Sequence, residues 1–142
     1  MMLDPRNVYR EAAAQGQSPV RLVVLLYEQI VTDLRAARAA FAAGDIERRT
    51  TEITHALRVL GQLQASLDMD RGGDVAQALD RFYVIVRGRI LEAQVRASAQ
   101  ILDEQMQLLL SLREAWVEVE KSSAPAVSPA PPPGATSAEW RI

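Results

Sequence analysis

The sequence predicts an all-α protein, an antiparallel four-helix bundle with a short N-terminal segment and a disordered C-terminal tail. Between Pro19 and Pro125 the chain contains no proline and is rich in Ala, Leu, Arg, Gln and Glu, which favour helix. Apolar residues recur in this stretch at spacings of three and four, which places them on one helical face. Residues typical of caps and turns divide the stretch into four segments, so we expect four helices.

The first helix is predicted to begin at Ser18-Pro19, because Ser is a favoured N-cap and Pro fits the first helical position. We expect residues 1–17 to form an N-terminal segment, with a short helix starting at Asp4-Pro5, and residues 18–121 to form the bundle. Gly44 suits the left-handed conformation that closes a helix. The predicted core face of the first helix contains Val23, Tyr27, Ile30, Leu34, Ala37 and Phe41.

The second helix is predicted to begin after Asp45, which can act as its N-cap. The segment 68–74, with the Gly72-Gly73 pair, is interpreted as the turn before the third helix. The predicted core face of the second helix contains Ile46, Ile53, Leu57, Leu60 and Leu67. The third has Val75, Leu79, Phe82, Tyr83, Val86, Ile90, Ala93 and Ala97.

Ser98 is interpreted as the cap between the third helix and the fourth, whose core face contains Leu102, Met106, Leu109 and Trp116. Because the predicted connections are short, consecutive helices should run antiparallel in a left-handed bundle. A coiled-coil dimer of helical hairpins is the competing arrangement.

The last 21 residues, 122–142, differ in composition from the rest of the chain. They contain five prolines, several Ser and Ala, and only Glu139 and Arg141 as charged residues. Such a composition favours an extended, solvated chain, so we expect a disordered tail. Trp140 is the one aromatic residue in it and is interpreted as an exposed side chain.

Composition excludes several function classes. The formal net charge of −2 gives no reason to expect nucleic acid as a partner. The chain has no Cys and one His, which excludes disulfides, thiolate metal sites and Cys nucleophiles. No apolar run approaches the roughly 20 residues that span a bilayer, and no signal peptide is recognisable. We therefore expect a cytoplasmic protein without membrane insertion.

Two motifs resemble metal sites, and neither is complete. Glu52 and His55 have the spacing found in di-iron bundles, but such a site needs a second Glu-x-x-His pair, so we interpret His55 as part of a solvated helix face. Asp68 to Asp74 resembles the start of a calcium loop, but the twelfth position is Leu79 instead of Glu. No catalytic residue, metal site or cofactor is predicted, and we expect no enzyme.

The third helix carries a second apolar side. At 100° per residue, Val84, Leu91 and Val95 lie about 120–160° from Leu79, with Gly88 between them. An ordinary surface helix keeps that side polar. Gly88 would also permit close approach by another backbone.

The fourth helix is apolar over an unusually wide arc. Its apolar residues, among them Ile101 and Leu108, cover about 220°, whereas a core face needs closer to 100°. Exposed apolar surface of this extent indicates a binding partner. A homodimer formed through the third and fourth helices is the competing interpretation.

Over residues 5–119 the chain resembles a known family in an ordered series of short motifs. They are Tyr9, Ser18-Pro19, Leu25-Leu26-Tyr27, His55-Ala56, Leu67-Asp68, Gly72-Gly73, Ala76, Leu79, Phe82-Tyr83 and the segments 91–94 and 109–116. In this series the chain resembles the FliS family, the flagellar export chaperones that bind flagellin. It departs from the family at Glu28-Gln29, where Asp-Gly is usual, at Gln94, where Asn is common, and at Val84-Ile85, where a second aromatic often stands.

The resemblance implies a function as well as the antiparallel four-helix fold. Family members hold the disordered C-terminal segment of flagellin in the cytoplasm, prevent its premature polymerisation and keep it competent for type III export. They clamp that segment around the outside of the bundle, and components of the export gate are further expected partners. The N-terminal segment, here with Tyr9, is thought to lie over part of the same surface when no partner is bound.

Together, these inferences predict a set of partner-binding residues. They are Tyr9, Val84, Gly88, Leu91, Val95, Ile101 and Leu108. The alternative function is that of a non-catalytic homodimeric bundle with a structural or regulatory role.

Overall fold

The computed structural model describes residues 19–122, which form four helices. These are α1 (Pro19–Ala43), α2 (Ile46–Ala65), α3 (Gly73–Arg96) and α4 (Ala99–Ser122). The predicted all-α class is therefore confirmed, with no strand between residues 19 and 122. The predicted N-terminal segment, the Ser18 cap and the tail beyond Ser122 lie outside the described residues. None of the four helices is long and apolar enough to cross a bilayer.

The turn between α1 and α2 follows the predicted cap residues. Gly44 has a φ of 69°, the left-handed conformation that an L side chain disfavours. The Asp45 carboxylate accepts a hydrogen bond of 3.0 Å from the backbone N–H of Arg48. Both predictions are confirmed, and two residues suffice to reverse the chain.

The turn between α2 and α3 requires glycine for steric reasons. A Cβ at Gly72 would lie 2.5 Å from the Ala76 Cβ and 2.6 Å from the Asp68 carbonyl oxygen. No side chain fits at that distance, so Gly72 permits the turn to pack against the first turn of α3. The Asp68 carboxylate accepts from the Arg71 N–H at 2.9 Å, which makes Asp68 a turn residue.

The joint between α3 and α4 is tight and strained. Ala97 has a φ of 50° and a ψ of 47°, the left-handed conformation that usually belongs to Gly or Asn at the end of a helix. The sequence placed Ala97 on the core face of α3, but it is exposed. Ser98 caps α4, as predicted, because its hydroxyl accepts from the Ile101 N–H at 3.3 Å.

Ion pairs show that α1 and α4 run in opposite directions. Arg38 pairs with Asp103 at 2.6 Å near the end of α1. Arg113 pairs with Glu28 in the middle, and the Arg21 guanidinium lies 4.0 Å from Glu120 near the start. Residues with higher numbers on α1 therefore pair with residues with lower numbers on α4, so the two helices are antiparallel. Each helix packs on the next in the chain, and α4 closes the bundle against α1.

Burial is uneven among the helices. In α1, 12 of 25 residues are buried, whereas only six of 24 are buried in α3. Most predicted core residues lie in one core, but Ile46 is 64% exposed and Val75 is 44% exposed, so their placement in the core was wrong. Both stand in the first turn of a helix, where the neighbouring helices no longer cover the predicted face.

A buried polar cluster joins three helices at the centre of the bundle. The hydroxyls of Tyr27 in α1 and Tyr83 in α3 lie 2.8 Å apart, and the Trp116 indole of α4 donates to Tyr27 at 3.3 Å. The two tyrosine rings meet edge to face at 6.2 Å. Tyr27 and Tyr83 are fully buried, so each hydroxyl has its partner inside the protein.

A second buried polar contact joins α1 to α2. His55 is 2% exposed, and its Nδ1 lies 2.5 Å from a carboxylate oxygen of Asp33. Gln29 donates to the other carboxylate oxygen at 2.9 Å. The prediction that His55 belongs to a solvated face was wrong, because its hydrogen-bond partner comes from another helix. Burial raises the pKa of Asp33, and the hydrogen bond from His55 offsets part of that effect.

Replacing Ala97 with Gly should stabilise the protein. Gly adopts the left-handed conformation without the cost of roughly 1 kcal/mol that a Cβ imposes. Since Ala97 is exposed, no core contact is lost. We expect a gain of about 0.5–1 kcal/mol in the free energy of unfolding, measured by urea titration. Ala39→Gly, at an exposed position inside α1, is the control and should lose about 1 kcal/mol. A loss at Ala97 as well would contradict this account of the joint.

Replacing His55 with Ala should cost about 2–3 kcal/mol of stability, because the buried Asp33 carboxylate loses a hydrogen-bond partner. Thr54→Ala, at the exposed neighbouring position, should stay within about 0.5 kcal/mol. In the double variant that also carries Asp33→Asn, the loss of stability should be smaller than the sum of the two single losses, because the two side chains are in contact. Thermal and urea unfolding of the variants measures this, and full additivity would show that the two side chains are not coupled.

Raising the pH above 10 should destabilise the bundle. Burial raises the pKa of Tyr27 from 10.0 to about 12 and raises that of Tyr83 as well. Above pH 10 the unfolded chain releases its phenolic protons, whereas the folded chain keeps them. The stability that the two buried tyrosines contribute is therefore complete below pH 10 and is lost as the pH rises through 12. The free energy of unfolding should fall by up to about 1.4 kcal/mol per pH unit for each tyrosine. In Tyr83→Phe the fall in the free energy of unfolding between pH 10 and 11 should be about half that of the wild type. An unchanged fall would contradict the attribution of this pH dependence to the two buried tyrosines.

Candidate functional site

The outer face of α3, defined by Val84, Gly88, Leu91 and Val95, is apolar and open to solvent. The three side chains are 52%, 45% and 86% exposed, respectively. A Cβ at Gly88 would meet nothing within 4 Å. These residues do not contribute to the buried core of the bundle, as the sequence predicted.

Charged and polar side chains border this face. On one side, Arg87 donates to Gln64 of α2 at 3.4 Å, and Gln64 donates to Asp80 at 2.8 Å. On the other, Glu92 accepts from Arg96 at 2.7 Å and from Arg89 at 2.6 Å. These hydrogen bonds lower the pKa of Glu92, which remains ionised. The outer face is therefore an apolar strip between two polar borders, the usual organisation of a binding surface.

A groove between α3 and α4 forms a second apolar feature. Its apolar end encloses about 520 Å³ and is lined almost entirely by carbon. The lining residues are Val75, Ala78, Leu79, Phe82, Leu108, Ser111 and Leu112. The groove was not predicted from the sequence, because Val75 was placed in the core and Phe82, which does pack against the core, also lines the groove. The wide apolar arc of the fourth helix was the signal that could have revealed it.

The groove continues into a second end of about 510 Å³, and Leu108 and Ser111 line both ends. The accessible surface of this second end is also mainly apolar, but polar side chains stand in its walls, so it is called the polar end. Ile85, Arg89, Glu104, Gln105 and Gln107 complete its walls. Gln105 is 2% exposed, and within residues 19–122 its Oε1 has no hydrogen-bond partner. This oxygen has almost no surface open to the groove, so a donor there would reach it only after the Gln105 side chain turns.

The predicted partner-binding residues are divided among these surfaces and the core. Val84, Gly88, Leu91 and Val95 lie on the outer face of α3, and Leu108, 47% exposed, lies in the groove. Ile101 is only 6% exposed and packs in the core, so it offers no open surface to a partner. Tyr9 lies outside the described residues.

The motifs that resembled metal sites have structural roles. Glu52 lies 3.9 Å from Arg48, one turn earlier, and His55 contacts Asp33. Leu79, at the twelfth position of the calcium-like segment, is buried. Among residues 19–122, no three His, Cys, Asp or Glu side chains are grouped so that they could hold a metal ion.

A helical bundle with exposed apolar surface on two adjacent helices is suited to binding another protein. Comparison with known proteins agrees: residues 2–123 match the family described as "Flagellar protein FliS". The chain is 34% identical to the flagellar secretion chaperone FliSB of Pseudomonas aeruginosa over 78% of the chain and 88% of that protein. It is 29% identical to the flagellar secretion chaperone FliS of Salmonella typhimurium over 80% of the chain and 85% of that protein. The chain belongs to the FliS family.

This membership confirms the predicted class of flagellar secretion chaperone. The flagellar secretion chaperone FliS of Vibrio cholerae is also similar, with 26% identity over 80% of the chain and 86% of that protein. These relatives are named chaperones, and the family is not enzymatic. Two departures from the family pattern have clear contacts: Glu28 pairs with Arg113, and Gln29 donates to Asp33.

Proposed function

We propose that this protein binds the C-terminal segment of flagellin in the cytoplasm, prevents its premature polymerisation and keeps it competent for type III export. The observation that carries the proposal is the exposed apolar face of α3. A bundle whose core is already filled does not need Val84, Leu91 and Val95 to fold. Their exposure has a function if a client with an apolar face covers them.

The spacing of the outer face suits a helical client. Residues 84, 88, 91 and 95 follow one another at intervals of four, three and four, the repeat of a coiled-coil seam. A client helix lying along α3 can insert its apolar side chains between Val84, Leu91 and Val95. Gly88 has open space where other residues carry a side chain, so the client backbone can approach closely there. Docking of an amphipathic helix in this manner is a common recognition mode.

Flagellin is the client that this physical requirement favours. A subunit destined for a filament carries terminal helices whose apolar faces are buried only after assembly. Until then those faces associate with one another unless another protein covers them. In this proposal Tyr9 and the N-terminal segment cover part of the outer face in the free chaperone, and components of the export gate receive the loaded complex.

Replacing Leu91 with Asp should abolish most flagellin binding without unfolding the protein. Leu91 is 45% exposed, so the substitution should change stability by less than about 0.5 kcal/mol. Under a bound client, however, the new carboxylate would be buried without a partner, which is strongly unfavourable. Calorimetric titration with a flagellin C-terminal fragment should show at least a tenfold weaker affinity, with an unchanged thermal melt.

Two control variants make this experiment selective. Met69→Asp changes a residue of similar exposure, 46%, in the turn before α3, and should bind flagellin like the wild type. Leu79→Asp places the charge at a buried position and should unfold or aggregate the protein. If Leu91→Asp binds normally, the client lies elsewhere. If the wild type is a tight dimer that ignores the fragment, the alternative of a homodimeric structural bundle is supported.

A further inference from the structure

The groove between α3 and α4 has features that the client proposal does not use. Its apolar end opens beside Phe82 and Leu108, whereas the outer face of α3 lies on a different side of that helix. Its polar end contains Gln105, whose buried Oε1 finds no partner in the part of the chain that the structure describes. An occupant of this groove should therefore be chiefly a large apolar group, because the accessible surface of both ends is mainly apolar.

The chain itself contains such a group outside the described residues. Trp140 is the only aromatic residue after Ser122, and the indole is a large apolar ring whose N–H donates but cannot accept. We propose that the C-terminal residues 139–142 dock in cis into the α3–α4 groove, with the Trp140 ring in its apolar end. This inference concerns the chain's own C-terminus and does not depend on the identity of the client.

The length of the connecting chain permits this docking. Leu108 and Leu112 lie 14 and 10 residues before Ser122 on α4, which corresponds to roughly 15–21 Å along the helix axis. Seventeen residues separate Ser122 from Trp140. In a flexible chain they would span about 23 Å on average, and in an extended polyproline conformation about 53 Å. The tether therefore matches the distance it must cover, and this raises the local concentration of Trp140 at the groove.

The residues beside Trp140 also complement the polar end. Glu139 and Arg141 carry one charge of each sign, and the walls contain Arg89 and Glu104 at 3.1 Å from each other. Ile142 adds a second apolar side chain. Because neither charge needs to be buried, the segment can place its apolar groups in the groove while Glu139 and Arg141 stay at its polar rim.

Fluorescence of the full-length chain tests the proposal. Trp116 is 5% exposed in the core, so a difference between the wild type and Trp140→Phe isolates the emission of Trp140. In the wild type this emission should be blue-shifted, and acrylamide should quench it several-fold more slowly than free N-acetyltryptophanamide. The protection should not change on hundredfold dilution, because the contact is within one chain.

Variants in the groove and outside it provide the controls. Phe82→Ala should raise the quenching rate of Trp140 at least threefold, and Leu108→Asn, at an exposed position, should do so even if Phe82→Ala fails to fold. Val95→Ala, on the outer face of α3, should leave quenching unchanged. Two outcomes would show that the groove does not hold Trp140: quenching as fast as that of the free indole, or protection that survives both groove variants. A third outcome, protection that disappears on dilution, would indicate docking into a second copy and would also overturn the proposal.

Discussion

The hydrogen-bonded cluster of Tyr27, Tyr83 and Trp116 is the constraint on which the rest of the bundle depends. Each of its members comes from a different helix, and Tyr27 of α1 contacts both of the others. Two buried hydroxyls and an indole N–H are costly without partners, so α1, α3 and α4 must keep the register that brings them together. Together with the Asp33–His55 contact to α2, this makes α1 the helix to which all the others are fixed.

The uneven burial of the helices follows from that arrangement. The first helix packs against α2 and α4, whereas α3 lies across the bundle from α1 and contacts it through Tyr83. Only one face of α3 is needed for the core, and the rest is left to solvent. The exposed apolar residues of α3 and α4 are therefore available for contacts outside the fold, and they form two separate features, the outer face of α3 and the α3–α4 groove.

The two features differ in what they favour as an occupant. The outer face of α3 is a long strip with the spacing of a helical seam, bordered by ion pairs and hydrogen bonds that keep its edges solvated. The groove lies between two helices, and its wall contains Gln105, whose Oε1 has no partner within residues 19–122. In our proposals the client occupies the outer face of α3, and residues 139–142 of the chain itself occupy the groove.

The sequence by itself determined the positions of the four helices and the exposed apolar side of the third. Proline positions, apolar periodicity and the caps Gly44, Asp45 and Ser98 defined the four helices, because these signals are local. The spare apolar side of the third helix was also readable, since Val84, Leu91 and Val95 lie opposite Leu79 at 100° per residue.

Only the tertiary structure decided which residues meet between helices. The burial of His55 could not be predicted, because its partner Asp33 stands 22 positions away. The exposure of Val75 and the groove beside it could not be predicted either, because packing sets the position of α4. The left-handed conformation of Ala97 could not be predicted from the sequence either, because it results from the tight connection between α3 and α4.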